Sequence, residues 1–203
     1  HDTESIDKIR SYALKLTSNE YQGGLHFYDT GNKYLDGLLA IKRNMASNNN
    51  IHFDVDVEAT LRNIQVDDVD LTTIVGNIVD NAFDAVDMNS PDKKKIVALS
   101  FYEEDDKIHI AISNNGSEIT EQHKKCIFEY KYSTKNKAAG DRGYGLFIVK
   151  ELTEKNKGEI SFHGNDVETE FLLSFKKFTK SKDGGKSNKD KSNGVYIQQE
   201  EVL

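Results

Sequence analysis

The sequence predicts an α+β two-layer sandwich, with an at least partly antiparallel sheet and helices packed on one face. Two observations predict it. Two pairs of short apolar runs, 95–102 with 107–113 and 159–163 with 170–176, are each separated by a few polar residues and read as antiparallel hairpins. Stretches with apolar residues at helical spacing lie between these pairs rather than after every strand, which argues against a doubly wound parallel sheet.

The elements follow in order. Residues 5–17 place Ile6, Ile9, Tyr12, Ala13 and Leu16 at helical spacing. Gly23 and Gly24 break the chain, and Asp29 to Asn32 offer cap residues for a helix over 33–47 whose apolar positions are Tyr34, Leu35, Leu38, Leu39, Ile41 and Met45, with Lys42 among them. Residues 51–57 alternate Ile51, Phe53, Val55 and Val57 with His52, Asp54 and Asp56, a half-buried strand with His52 outward.

The stretch 71–88 is the centre of the chain. As a helix it gathers Ile74, Val75, Ile78, Val79, Ala82, Phe83, Ala85 and Val86 on one half of its wheel and Asn77, Asn81 and Asp84 in a narrow sector of the other. Asn is a weak helix former because its side chain competes for backbone hydrogen bonds. The row is therefore either a solvated stripe or a binding face. Pro91 and a cluster of Asp and Lys mark a loop, and residues 120–129 read as a short helix ending in Ile127 and Phe128. KYSTKNKAAGDRGYG reads as flexible. A helix over 145–156 then turns Leu146, Ile148, Val149 and Leu152 inward, and Gly158 stops it. Residues 179–194 carry no apolar residue and read as a linker, followed by a tail with no assignable role.

Composition excludes several classes of function. The 203 residues suffice for one domain with a core plus appendages. With 27 basic and 34 acidic residues the net charge is −7, against a nucleic-acid footprint. The single Cys126 excludes an internal disulfide and a multi-cysteine zinc site, and its apolar surroundings make it a small buried hydrophobe. No signal-peptide pattern and no long apolar run occurs, so these residues are expected to span no membrane and to lie in the cytoplasm.

Three further features bear on chemistry. Gly143, Tyr144 and Gly145 open a helix, whose free N–H groups and dipole suit an anion; a tight turn is the alternative. Lys135 in SerThrLys, and Arg142, bring cations near that end. Ser113 to Gly116, SerAsnAsnGly, place a chain reversal with polar side chains at the sheet edge.

Taken in order, NIVDNAFDAV, SNNGSEI, IFEYKYSTK and RGYGLFIVK resemble the N, G1, F and G2 boxes of the GHKL ATP-binding superfamily, which includes sensor histidine kinases, gyrase, Hsp90 and MutL. The pattern is most similar to bacterial histidine kinases of the citrate/fumarate-sensing and peptide-pheromone-sensing types, and it covers about residues 31–178. The resemblance implies the Bergerat fold, a mixed, mostly antiparallel sheet under helices, with ATP between the central helix, the hairpin turn and a mobile lid. It implies ATP and Mg²⁺ as ligands and transfer of the γ-phosphoryl group to a histidine, then to a response-regulator aspartate. The partners implied are a receiver domain, a phosphoacceptor helix in cis or trans, and a second copy in the full-length protein, which would be anchored in the bacterial inner membrane.

Residue by residue, the resemblance makes Asn81 the Mg²⁺-coordinating amide. Asn77, one turn earlier, stands where the ATPases carry a Glu that activates water. An amide takes no proton, so efficient hydrolysis is not expected, whereas a histidine acceptor is already a nucleophile near pH 7. Asn77 and Lys135 are the expected catalytic residues, with His1 as acceptor. The nucleotide site would comprise Asn77, Asn81, Asp84, Asn114, Gly116, Phe128, Ser133, Thr134, Lys135, Arg142, Gly143, Tyr144, Gly145, Leu146 and Thr169. Four positions depart from the family pattern. Asn114 replaces the adenine-reading Asp, Glu118 the second glycine of the first glycine box, Lys131 a glycine before SerThrLys, and Glu168 a glycine of the last box. The first change is expected to weaken adenine binding by about 1 kcal/mol, roughly fivefold. These departures feed an alternative, a domain that has lost nucleotide and docks a partner.

The pair His1–Asp2 is similar to the family's acceptor site, with Ser5 where that site has Asn. His26 lies in a Gly-flanked loop, and His109 and His163 lie in strands. The expected organisation is residues 1–30 as a remnant of the dimerisation and phosphoacceptor region, 31–178 as the ATP-binding domain and 179–203 as a polar tail.

Overall fold

The computed structural model describes residues 28–116, 119–132, 143–165 and 167–178. The expected helix over 5–17, His1, His26, Glu118, Ser133, Thr134, Lys135, Arg142 and the tail lie outside these residues. In chain order come α1 (Lys33–Asn48), β1 (Ile51–Val57), a 3₁₀ turn at Leu61–Asn63, α2 (Asp68–Asp87), β2 (Lys95–Glu104), β3 (Lys107–Asn114), α3 (Glu121–Lys124), α4 (Gly145–Lys155), β4 (Glu159–Gly164) and β5 (Thr169–Lys176).

The five strands form one sheet in the order β1-β2-β3-β5-β4. β2–β3 and β4–β5 are the two expected antiparallel hairpins, and β3 joins them by pairing antiparallel with β5. Only β1 and β2 run parallel, an arrangement that needs a crossover, and α2 supplies it. The mixed, mostly antiparallel two-layer fold is therefore as expected. Alternate strand residues, including Phe53, Leu99, Phe101, Ile110, Ile112 and Leu173, are buried in one core with Leu35, Leu39, Ile74, Ile78 and Val79 of α1 and α2. Phe53 meets Phe83 edge-on at 5.3 Å. His52 is exposed, as its alternation requires.

The helices have fixed directions. Asn32 Nδ2 donates to Asp68 Oδ1 at 2.8 Å and Lys42 Nζ pairs with Asp80 at 2.6 Å, so α1 and α2 run parallel. α4 runs the other way. Its C-terminal Lys155 and Asn156 reach Asp70 near the start of α2, and Gly145 at its beginning faces Asn77 and Asn81.

Several expectations are corrected. Ile148 is 36% exposed, because Val149 and Thr153 take the inward positions on α4 and Ile148 lies 100° around the helix from Val149. Tyr34 and Met45 are 66% and 38% exposed, since the core face of α1 is Leu35, Leu39, Lys42 and Ala46. Ala85 and Cys126 are half-buried rather than core residues. The helix over 120–129 is one turn, followed by tight turns in which Cys126 N–H donates to His123 O and Glu129 N–H to Cys126 O. α2 begins three residues earlier than its apolar periodicity indicates. Asp67 caps it, accepting from the N–H groups of Val69 and Asp70, and Asp68 and Asp70 suit the positive end of the dipole.

Candidate functional site

The face of α2 away from the core carries the asparagine row. Asn77 Nδ2 donates to Thr73 O at 2.8 Å, which turns its Oδ1 outward. Asn81 Nδ2 is buried with no hydrogen-bond partner among the described residues. A buried amide without a partner costs about 1–3 kcal/mol, so at Asn81 the row departs from a solvated stripe. Asp84, one turn on, is exposed.

The start of α4 closes over these amides. A Cβ at Gly145 would lie 3.1 Å from Asn77 Oδ1 and 3.6 Å from Asn81 Nδ2, so a side chain there would fill the gap. Tyr144 precedes the helix without a capping side chain, leaving the first N–H groups of α4 for another acceptor. Gly143 has φ +98°, and a Cβ on it would lie 2.7 Å from the Lys131 carbonyl carbon and the Tyr132 oxygen. Residues 131–132 and 143 thus touch, so the chain leaves and returns to one point on either side of 133–142. Tyr130 packs edge-on against Tyr144 and Phe147 at 5.2 and 5.3 Å, and Lys131 Nζ lies 5.5 Å from the Tyr130 ring centre. Leu146 is half-buried against the core. Phe128 packs edge-on against Phe162 and Phe171 at 6.1 and 6.5 Å.

The reversal after β3 is held to two elements. Asn114 is 5% exposed; its Oδ1 accepts from Gly116 N–H at 3.0 Å and its Nδ2 donates to Thr169 O at 3.4 Å. Thr169, itself 4% exposed, sits opposite Asn114 in the β3–β5 register. Gly116 presses on α2, where an added Cβ would meet the Ala85 carbonyl carbon at 2.7 Å. Asn115, outside the expected site, behaves as an extra strand residue. Its Oδ1 accepts from Ile96 N–H at 2.9 Å and its Nδ2 donates to Lys94 O at 2.8 Å, fixing the turn to the start of β2. A second Asn before a turn glycine was the available signal.

The far end of α4 is anchored. Asp70, 7% exposed, accepts from Lys155 Nζ at 2.8 Å and Asn156 Nδ2 at 2.7 Å. Those two hydrogen bonds, Lys155 first, hold its carboxyl below the usual range against the opposing effect of burial. Eleven residues separate Asp70 from Asn81 on α2, a rise of about 16 Å, and α4 spans the same length from Gly145 to Asn156. Fastening the helix at Asp70 therefore sets where its N-terminus falls.

Of the candidate residues among those described, Asn77, Asn81 and Gly145 are brought together, with Gly143, Tyr144 and Leu146 beside them. Asn114, Gly116 and Thr169 join α2 one turn further on, through Ala85. His109 is apart from them, stacked on Tyr102 at 5.0 Å, and His163 is exposed. Among the described residues no group of three His, Cys, Asp or Glu side chains could hold a metal ion.

Comparison with known proteins agrees with this geometry. Residues 66–188, more than half of the chain, match the family described as histidine kinase-, DNA gyrase B- and HSP90-like ATPase. A probable C4-dicarboxylate sensor kinase of Halalkalibacterium halodurans is 36% identical over 104 residues, covering 51% of this chain and 18% of that protein. The sensor protein CitS of Bacillus subtilis is 31% identical over 160 residues, 77% of this chain and 28% of that protein. The chain thus spans under a third of the length of these relatives. The catalytic domain of the histidine kinase ThkA, nucleotide-free, superposes with a TM-score of 0.60 at 21% identity, covering 72% of this chain and 91% of that one, a likeness of fold.

Proposed function

This chain belongs to the histidine kinase-, DNA gyrase B- and HSP90-like ATPase family, and we propose that it is the ATP-binding catalytic domain of a two-component sensor histidine kinase. ATP binding is what the family implies. The kinase assignment rests on the relatives and on Asn77, whose amide stands where a water-activating carboxylate would serve hydrolysis and takes no proton. The observation that carries the site is the unpartnered Asn81 amide facing the uncapped start of α4.

In this reading the ATP phosphates lie between α2 and the α4 N-terminus, held by the free N–H groups of α4, with Lys135 and Arg142 contributing charge. A half-turn of the Asn81 amide presents its oxygen instead of its nitrogen, which fits Mg²⁺, an ion commonly held by one or two protein oxygens and the substrate phosphates. Mg²⁺ held by Asn81 would offset negative charge on the phosphates. Asn114, Gly116 and Thr169 form the end of the site toward the base, and Phe128 and Leu146 support it from the core. The phosphoacceptor imidazole attacks the γ-phosphorus, the bond to the β–γ bridging oxygen breaks, ADP leaves with its electrons, and the ring proton passes to solvent. The acceptor, His1 or another histidine, a receiver domain, a second copy and membrane anchorage complete this reading. Among the described residues no helix is long and apolar enough to cross a membrane.

The test is to incubate the chain and its Asn81→Ala variant with γ-labelled ATP, Mg²⁺ and the phosphoacceptor helices of the parent protein. Acid-labile, base-stable label on histidine, lost in the variant, is the expected result. Rapid release of free phosphate without protein label, or no nucleotide binding by the folded chain, contradicts it; the latter leaves a domain that docks a partner.

A further inference from the structure

Among the described residues, Lys42 and Asp70 are the charged ones that are buried. Asp70 has its reason in the two donors at the end of α4. Lys42 has no such reason in stability. It stands on the core face of α1 with Leu35, Leu39 and Ala46, and its Nζ donates to Asp80 Oδ1 at 2.6 Å. The Lys42 side chain is 8% exposed, whereas that of Asp80 is 53% exposed. Taking an ammonium out of water is costly, and apolar groups of similar volume often replace a buried ion pair without loss of stability. A Leu or Met would complete this face of α1 more cheaply. The place of the pair supplies another reason. A Cβ on Gly76 would lie 3.5 Å from Leu38 Cδ2, and one turn further along both helices Lys42 meets Asp80. Asp80 directly precedes Asn81, and its Cβ lies about 5–6 Å from those of Asn77 and Asp84, one turn away on either side.

The part of α2 that the proposed function gives to the phosphates thus carries two carboxylates, Asp80 and Asp84, beside its two amides. ATP is an anion with or without Mg²⁺, and a carboxylate within a Debye length of about 10 Å repels it. We propose that Lys42 is a positioning residue for the nucleotide: its buried ammonium holds the Asp80 carboxylate to the α1 side of α2 and cancels its charge, so that the wall beside Asn81 accepts phosphate. Lys42 acts through Asp80 and touches no substrate. Burial suits the task, because a charge inside the protein is screened by salt far less than one in solvent. The inference rests on the proposed function and adds to it a residue of α1, an element that contributes none of the expected site residues.

Calorimetric titration of Mg·ATP into the full chain, Lys42→Met and the double variant Lys42→Met/Asp80→Asn tests this, with a melting curve for each. Lys42→Met is expected to fold, because the carboxylate it leaves is half in water. At about 0.05 M salt it should bind Mg·ATP about threefold to tenfold more weakly than the unsubstituted chain, and the ratio should shrink at about 0.5 M. Removing the carboxylate as well should bring the double variant to within about twofold of the unsubstituted chain, a recovery that lost packing alone does not give. Equal affinity of Lys42→Met and the unsubstituted chain overturns the proposal. So does a loss that the double variant does not recover, or a ratio that salt leaves unchanged. If Lys42→Met does not fold, Lys42→Gln, which also leaves Asp80 without a cation, takes its place in the same comparison. Absence of binding by the folded, unsubstituted chain is a different failure, which removes the proposed function and this inference with it.

Discussion

The two halves of α2 are built by opposite rules. In its first turns every prominent polar side chain is matched: Asp68 accepts from Asn32, and Asp70 from Lys155 and Asn156. Three turns on from Asp70, the Asn81 side-chain nitrogen is buried with no hydrogen-bond partner among the described residues, beneath a helix start without a side-chain cap. Satisfied buried polar groups fix a fold, and unsatisfied ones cost it stability. The same helix thus holds a structural anchor and, about 16 Å away, a buried amide without a partner among the described residues.

Substitutions at the two ends should part accordingly. Asn81→Ala has the largest expected effect, a loss of about 10- to 100-fold in Mg·ATP affinity by calorimetry, while thermal unfolding stays within about 1 kcal/mol or improves. Asp70→Ala does the reverse. It removes the carboxylate that Lys155 and Asn156 share, leaving Asn156 Nδ2 only Leu152 O, and is expected to cost about 2 kcal/mol in denaturant unfolding, with ATP affinity changed less than about threefold because the sites are far apart. Lys155 is exposed, and Lys155→Ala should lower the denaturant midpoint less than Asp70→Ala does.

Asn114→Asp sharpens the comparison from the sheet side. A carboxylate still accepts from Gly116 N–H but meets the Thr169 carbonyl oxygen without a donor. The expectation is about fivefold tighter ATP binding, if this residue faces the base, with a lower melting temperature. The smallest effect is the pH dependence of the anchor. The Asp70 carboxyl titrates below its unfolded value of about 3.9, so the stability it contributes is present above that pH and lost as pH falls through the folded value. The stability gap between the unsubstituted chain and Asp70→Asn should hold from pH 7 to about 5 and close below about 4.

The elements that sequence made legible are those whose side chains obey one periodicity. β1 matches its expected range of 51–57, and the buried face of α2 contains all the expected residues except Ala85. Ala85 departs, half-buried beside Gly116 of another element, a contact that no local pattern encodes. Ile148 departs because α4 packs by Val149 and Thr153, and helical spacing alone does not decide which of two adjacent apolar residues faces inward. At the site, the Asn77 and Asn81 row was readable as chemistry out of place on a helix. The Asp70 anchor was not, since its partners lie more than eighty residues away at the end of α4. Asn115 hid behind the motif that contains it.

The central claim is that Asn81 is left without a partner for the sake of a bound nucleotide. Its most direct test is an ATP titration by calorimetry, with and without Mg²⁺, on the chain and on Asn81→Ala, beside a melting curve for each. Magnesium-dependent binding that the substitution abolishes, with the melting temperature held or raised, is the predicted result. No heat at millimolar ATP from the folded chain, or a variant that binds equally well but melts markedly lower, would contradict it.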